Sequence, residues 1–306
     1  MKTKLIWLTF LFLILTVSVK AIDKKITTSD GVELFVTIKG EGIPCLYIHG
    51  GPGSGAYWLE AFSGEMLEKK MQMIYLDQRG VSRSGSAANK DYSLQRMLKD
   101  FEEVREALQI KKWLVLGHSF AGGIQTSYAD KYPEAVAGML MLNGTVNIAE
   151  SLRGVIAYAD EKIPDSIRLK LKDERMPLMQ KMMIVHQALG EDVYKMYYRD
   201  KASADTMNAV MGRIPNWNWE FSSVVDKYPE YFADFTPTTR RVKVPVLVFG
   251  GRTDFAIGPE HYKLIQFPKQ KLYLADCGHL PFIEGRHDLE KAISGYLKAY
   301  FPNGKV

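Results

Sequence analysis

The sequence is poor in cysteine, with two thiols, Cys45 and Cys277, in 306 residues. Two cysteines make no disulfide framework, so the fold must rest on its apolar core. Beyond the N-terminus no apolar run is long enough to cross a bilayer as a helix, which excludes a multi-span helical membrane protein. A strong charge of one sign is missing as well. Forty Lys+Arg face 35 Asp+Glu, and the basic residues gather into no run of the kind that binds nucleic acid. The 25 glycines and 13 prolines follow no period, which excludes collagen-like and low-complexity chains. What is present is 46% apolar residues, enough for one large core with room for an insertion.

Residues 1–21 read as a secretory signal peptide. Lys2 and Lys4 precede 15 uncharged residues, Leu5 to Val19, and Val19-Lys20-Ala21 offers a cleavage site after Ala21. Fifteen residues fall short of the roughly 20 that span hydrocarbon. Cleavage would leave 285 residues with 37 basic and 35 acidic side chains. The expectation is an exported protein, periplasmic or secreted, with no stable membrane span after cleavage. Cys45 opens one apolar run and Cys277 follows another. In a parallel sheet those are opposite ends, so two free thiols are expected.

Short apolar runs alternate with amphipathic stretches. Residues 26–39 predict a hairpin turning at Ser29-Asp30-Gly31. Strands are expected at 45–49, 72–76, 113–116, 138–142, 244–250 and 270–275, and helices at 94–108, 121–132 and 289–300. Several strands are continuously apolar, as strands buried on both faces are. The alternation predicts an α/β fold with a mostly parallel sheet flanked by helices. From 147 to 241 the rhythm breaks into helix-like segments at 166–171, 178–189 and 192–198. This stretch reads as a helical cap inserted into a core made of 22–146 and 242–306. The methionines of 176–183 read as filler for that cap.

Chemistry-bearing residues fall at strand ends. Gly117-His118-Ser119-Phe120-Ala121 joins a strand to a helix, the context in which a tight turn presents a nucleophilic serine. Ala121 stands where the motif has a second glycine. Asp254 follows the strand ending in Gly250, and His279 follows the strand 270–275. Ser, Asp and His in this order supply nucleophile, orienting acid and base. Asp276 competes for the acid role, but it lies in the same turn as His279, so Asp254 is favoured. Among the six histidines only His279 directly follows a core strand. His118 is expected to point away from Ser119. His49-Gly50-Gly51-Pro52-Gly53 forms a glycine-rich loop after an early strand, suited to aiming backbone N–H groups at an oxyanion. The second donor is expected to be the N–H of Phe120.

With these residues in hand, the chain resembles the proline iminopeptidase branch of the α/β-hydrolase superfamily. The resemblance rests on HGGPG at 49–53, DQRG at 77–80 with Ser82-Arg83-Ser84, the turn at 117–121, GGRTD at 250–254 and CGHLPFIE at 277–284. It implies an α/β-hydrolase fold, a catalytic triad of Ser119, Asp254 and His279, and oxyanion donors at Gly51 and Phe120. It implies that Asp77 and Arg79 brace loops near the site. It also implies a lock for a free amino terminus, with Trp219 and Glu220 in the cap and Glu230 as a second carboxylate, although the spacing of Glu230 from Glu220 is short for the family. The activity implied is an aminopeptidase releasing N-terminal proline or other small residues through an acyl-enzyme. An esterase or amidase of small acyl compounds uses the same triad, because the fold does not fix the substrate. Dehalogenases and epoxide hydrolases use an Asp nucleophile, which Ser119 argues against, and intact triad residues argue against a purely binding role. The partner implied is a small peptide or small acyl substrate. No cofactor is implied, and no Cys/His cluster has zinc-ligand spacing.

Overall fold

The computed structural model describes residues 21–306. The leader expected over 1–21 lies outside the described residues but for Ala21. An eight-stranded sheet runs in the order β1-β2-β4-β3-β5-β6-β7-β8. The strands are β1 (Ile22–Thr27), β2 (Glu33–Lys39), β3 (Ile43–Ile48), β4 (Met71–Leu76), β5 (Trp113–His118), β6 (Val136–Leu142), β7 (Val246–Gly251) and β8 (Gln270–Ala275). β1 and β2 form the expected hairpin, and β2 also pairs antiparallel with β4. From β4 to β8 every pairing is parallel. All six residues of β5 are buried. That is why its sequence reads as an unbroken apolar run: helices cover both faces of a parallel sheet.

Helices α1 (Tyr57–Glu68), α2 (Leu94–Ala107) and α3 (Ala121–Lys131) join the early strands. Between β6 and β7 lie α4 (Ile148–Ala159), α5 (Asp165–Leu171), α6 (Leu178–Leu189), α7 (Lys201–Asn208), α8 (Glu220–Val224) and α9 (Thr236–Thr239), with a 3₁₀ segment at Gly190–Met196. Helices α10 (Pro281–Glu284) and α11 (Arg286–Tyr300) follow β8. The core has two apolar layers, one on each face of the sheet. The stretch between β6 and β7 has a smaller cluster of its own, built on Val155, Val185, Leu189 and Met196.

Three expectations need adjusting. The strand expected from Val244 starts at Val246, because Pro245 cannot donate to a ladder. Its carbonyl accepts from Met139 N–H and the Tyr296 hydroxyl instead. The last helix begins at Arg286, three residues before its periodic apolar face. The methionine filler divides. Met182 packs on the small cluster, Met183 is 67% exposed, and Met179 and Met182 line a cavity beside Ser119. Cys45 and Cys277 are buried free thiols, and burial holds both well above the usual thiol range.

Candidate active site

Because β3, β5, β7 and β8 are parallel, the loops after them open on one edge of the sheet. Ser119 follows β5 directly and has φ of +58°, a left-handed conformation that costs a non-glycine residue about 1–2 kcal/mol. Local bonds hold it there. Ser119 N–H donates to Leu142 C=O at 3.2 Å, and Ser119 C=O accepts from Gly122 N–H at 2.9 Å and Thr145 N–H at 3.0 Å. The turn needs its glycine at 122 rather than at 121. Ala121 fits, whereas a Cβ at Gly122 would collide with the backbone of Thr145.

The structure brings together the three side chains singled out in the sequence. Ser119 Oγ lies 2.8 Å from His279 Nε2, and His279 Nδ1 lies 2.9 Å from Asp254 Oδ2. Asp254 is buried, and its Oδ1 accepts from the N–H groups of Ala256 and Ile257. Asp276 is instead exposed and pairs with Arg252 at 3.3 Å. The glycine-rich loop presses against the Ser119 turn so closely that a Cβ on Gly50 would sit 2.6 Å from His118 C=O. Among the described residues, neither Gly51 N–H nor Phe120 N–H has a protein acceptor. Both residues line the cavity beside Ser119. His49 ties the loop down. Its Nδ1 bonds Gly50 C=O at 3.0 Å and its Nε2 accepts from Gln78 N–H at 3.2 Å, while burial pushes its pKa down. Asp77 braces both sides, accepting from Ala56 N–H at 2.8 Å and Arg83 Nε at 2.6 Å. Arg79 is wholly buried between Asp30 and Asp100.

The residues expected to form the amine lock lie apart from the two cavities at Ser119. Glu220 pairs with Lys90 at 2.7 Å, and that ammonium lowers its pKa. Glu230 accepts from Leu94 N–H at 3.2 Å, at the N-terminus of α2, where a carboxylate is favourable because the first helical N–H groups lack partners. Neither carboxylate lines a cavity that reaches Ser119. Trp219 is 52% exposed and lies outside both linings. It stacks on Trp217 at 5.5 Å, which stacks on Trp58 in the cavity wall at 6.0 Å.

Four residues to which the sequence assigned no role in the site help hold it. Asn143, after β6, donates from Nδ2 to Gly278 C=O at 2.8 Å and accepts from Gly251 N–H at 2.9 Å. It thereby joins the loops of His279 and Asp254. The strand-end dipeptide Asn143-Gly144 was the available sequence signal, and Asn143 does take a positive φ of 42°. His118 does turn from the Ser119 hydroxyl, but toward the base: its Nε2–H donates to His279 C=O at 2.8 Å and the two rings lie 4.8 Å apart. Burial, followed by the neighbouring His279, pushes its pKa down to about 3. Tyr197 accepts from His279 N–H through its carbonyl at 2.7 Å. Trp217 donates from its indole to Gly53 C=O at 3.2 Å. The last two come from the helical stretch, where periodicity points only to a core.

Two cavities meet at Ser119. The wide one, about 450 Å³, is walled by Tyr47, Trp58, Met207, Met211, Leu280 and Phe282 among others. The narrow one, about 130 Å³, is walled by Phe120, Ile148, Leu152, Met179, Met182 and Phe232 among others. Among the described residues no Asp or Glu lines either.

A serine, histidine and aspartate joined at the C-terminal edge of such a sheet define a hydrolase class, and comparison with known proteins agrees. A family model for the α/β hydrolase fold matches residues 44–286, and the chain belongs to that family. Within it the chain is similar to proline iminopeptidases. The proline iminopeptidase of Neisseria gonorrhoeae is 36% identical over 102 residues, 33% of this chain and 32% of the relative. The match thus spans about a third of that relative's length. The crystal structure of a proline iminopeptidase-related protein from Thermus thermophilus superposes with a TM-score of 0.77 at 20% identity, covering 92% of this chain and 99% of its own. An esterase from Exiguobacterium antarcticum superposes with a TM-score of 0.62 at 16% identity, covering 90% and 100%. At those two identities the likeness is one of fold.

Proposed function

We propose that the protein is a serine hydrolase working through an acyl-enzyme. The observation that carries this reading is the unbroken hydrogen-bonded path from Ser119 Oγ through His279 to Asp254. In this reading Ser119 attacks a carbonyl carbon while His279 takes its proton. Asp254 holds the imidazole in the tautomer with hydrogen on Nδ1 and stabilises the imidazolium. The N–H groups of Gly51 and Phe120 receive the oxyanion. His279 then protonates the leaving group, and water releases the acyl group by the same steps in reverse roles.

The cavity walls favour substrates that are uncharged next to the scissile bond. An ammonium ion held by the cavity walls would lack a carboxylate, and burying an unpaired charge costs several kcal/mol. Esters or amides of uncharged acyl groups are therefore the substrates proposed first. An aminopeptidase releasing N-terminal proline is the second reading, supported by the similarity to proline iminopeptidases. A panel of prolyl arylamide, N-acetylprolyl arylamide and nitrophenyl acetate separates them. Under the first reading the ester is turned over fastest and blocking the proline nitrogen costs no activity. A tenfold or greater preference in kcat/KM for the free amine would overturn it in favour of the second. Export is proposed from residues 1–21 alone, and N-terminal sequencing of the mature protein, with Ile22 expected first, tests it.

A further inference from the structure

Gly51, Ser119, Tyr197 and His279 line both the wide and the narrow cavity. Gly51 has no side chain, and Ser119 and His279 belong to the proposed chemistry. Tyr197 is left as the partition. It is held on several sides. Its hydroxyl bonds His186 Nε2 at 3.1 Å, its ring stands edge-on to His279 at 5.9 Å, and its carbonyl accepts from His279 N–H. Its neighbour Met196 is fully buried in the cluster of the helical stretch and accepts from Phe255 N–H, next to Asp254. A side chain fixed by these contacts is a wall rather than a mobile gate.

The two compartments differ in size by more than threefold. An apolar cavity of roughly 150 Å³ holds one benzene ring. The narrow compartment, at about 130 Å³, is on the scale of one small ring or a short chain. The wide compartment, at about 450 Å³ with Tyr47, Trp58 and Phe282 in its wall, takes a naphthyl-sized group with space to spare. We propose that Tyr197 is a specificity-determining residue that sorts the two arms of the substrate. It makes the protein a hydrolase of asymmetric esters or amides, with one bulky, apolar, ring-bearing arm and one short arm. This rests on the serine-hydrolase reading above and holds for either of its finer forms.

Three alkyl esters of similar intrinsic reactivity test it: 2-naphthylmethyl acetate, ethyl 2-naphthylacetate, and 2-naphthylmethyl 2-naphthylacetate. The first two have one bulky arm, on opposite sides of the ester, and the third has two. Active sites are titrated with a fluorophosphonate so that rates refer to competent enzyme. The expected result is that the doubly bulky ester has a kcat/KM at least tenfold below the better singly bulky one. Tyr197→Ala should shrink that gap at least fivefold. The carbonyl of residue 197 remains in that variant, so the loop carrying His279 keeps its backbone bond. Tyr197→Phe keeps the wall and should keep the gap. A doubly bulky ester hydrolysed as fast as the better singly bulky one by the unaltered protein would overturn the proposal. So would a gap that survives in a Tyr197→Ala protein still titrated by the probe. If the probe does not react with Ser119, the serine-hydrolase reading itself has failed, and that outcome is distinct.

Discussion

At the residue scale, the side chains around Ser119 divide into those that meet it and those already engaged elsewhere. Glu220 belongs to the second group through Lys90. Glu220→Gln is therefore expected to leave KM for amine-bearing substrates within twofold, measured on prolyl arylamide; a rise of tenfold would return it to the binding site. Asn143 belongs to the first group through the loops it joins. Asn143→Ala orphans a buried carbonyl and N–H, worth about 1–3 kcal/mol each, and frees the loops that align His279 with Asp254. Its kcat should fall about 10- to 100-fold with urea stability lowered in parallel. The buried histidines set a pH dependence. Burial lowers His118 to about 3 and His261 to about 4, against about 6.5 in an unfolded chain. Between those values the unfolded state binds more protons, so stability rises with pH and is lost as pH falls through 6.5. Between pH 7 and pH 5, where unfolded carboxylates stay ionised, the urea midpoint should drop. In His118→Gln that drop should be smaller.

At the element scale, the legibility of the sequence follows from how each element is held. The parallel strands were readable because burial on both faces leaves no polar alternation, as β5 shows with six buried residues. Ser119 and Asp254 were readable because each comes just past such a strand, His279 because it follows the edge strand β8, and the glycine-rich loop because close approach to His118 tolerates no side chain at Gly50. The helical stretch was not readable in the same way. Its helices are amphipathic toward a local cluster, and nothing in a 3.6-residue period tells a methionine facing that cluster from one facing a cavity. Met182 does both. Glu220 and Glu230 show the same limit, because a carboxylate's partner is set by tertiary neighbours such as Lys90 and the start of α2. The turn between β5 and α3 carries its own prediction. Gly122→Ala should cost about 1–3 kcal/mol in urea unfolding by overpacking, because the added methyl meets the fixed backbone of Thr145. Ala121→Gly, which removes a buried methyl without a backbone clash, should cost about 1 kcal/mol.

At the scale of the whole molecule, the sheet edge carries Ser119, the helical stretch supplies much of the narrow cavity's wall, and the wide cavity is walled by the core and the stretch together. Trp217 and Tyr197, both from that stretch, bond the loop before α1 and the loop after β8. Substrate choice and alignment of the base therefore share the same elements. Among the described residues no helix is long and apolar enough to cross a membrane. The central claim, that this edge makes Ser119 nucleophilic, is tested most directly by reaction with a fluorophosphonate and mapping of the modified peptide. One equivalent of probe on Ser119, abolished by Ser119→Ala and slowed at least a hundredfold by His279→Ala, is the expected result. Modification of another residue, or labelling that survives in Ser119→Ala, would contradict it.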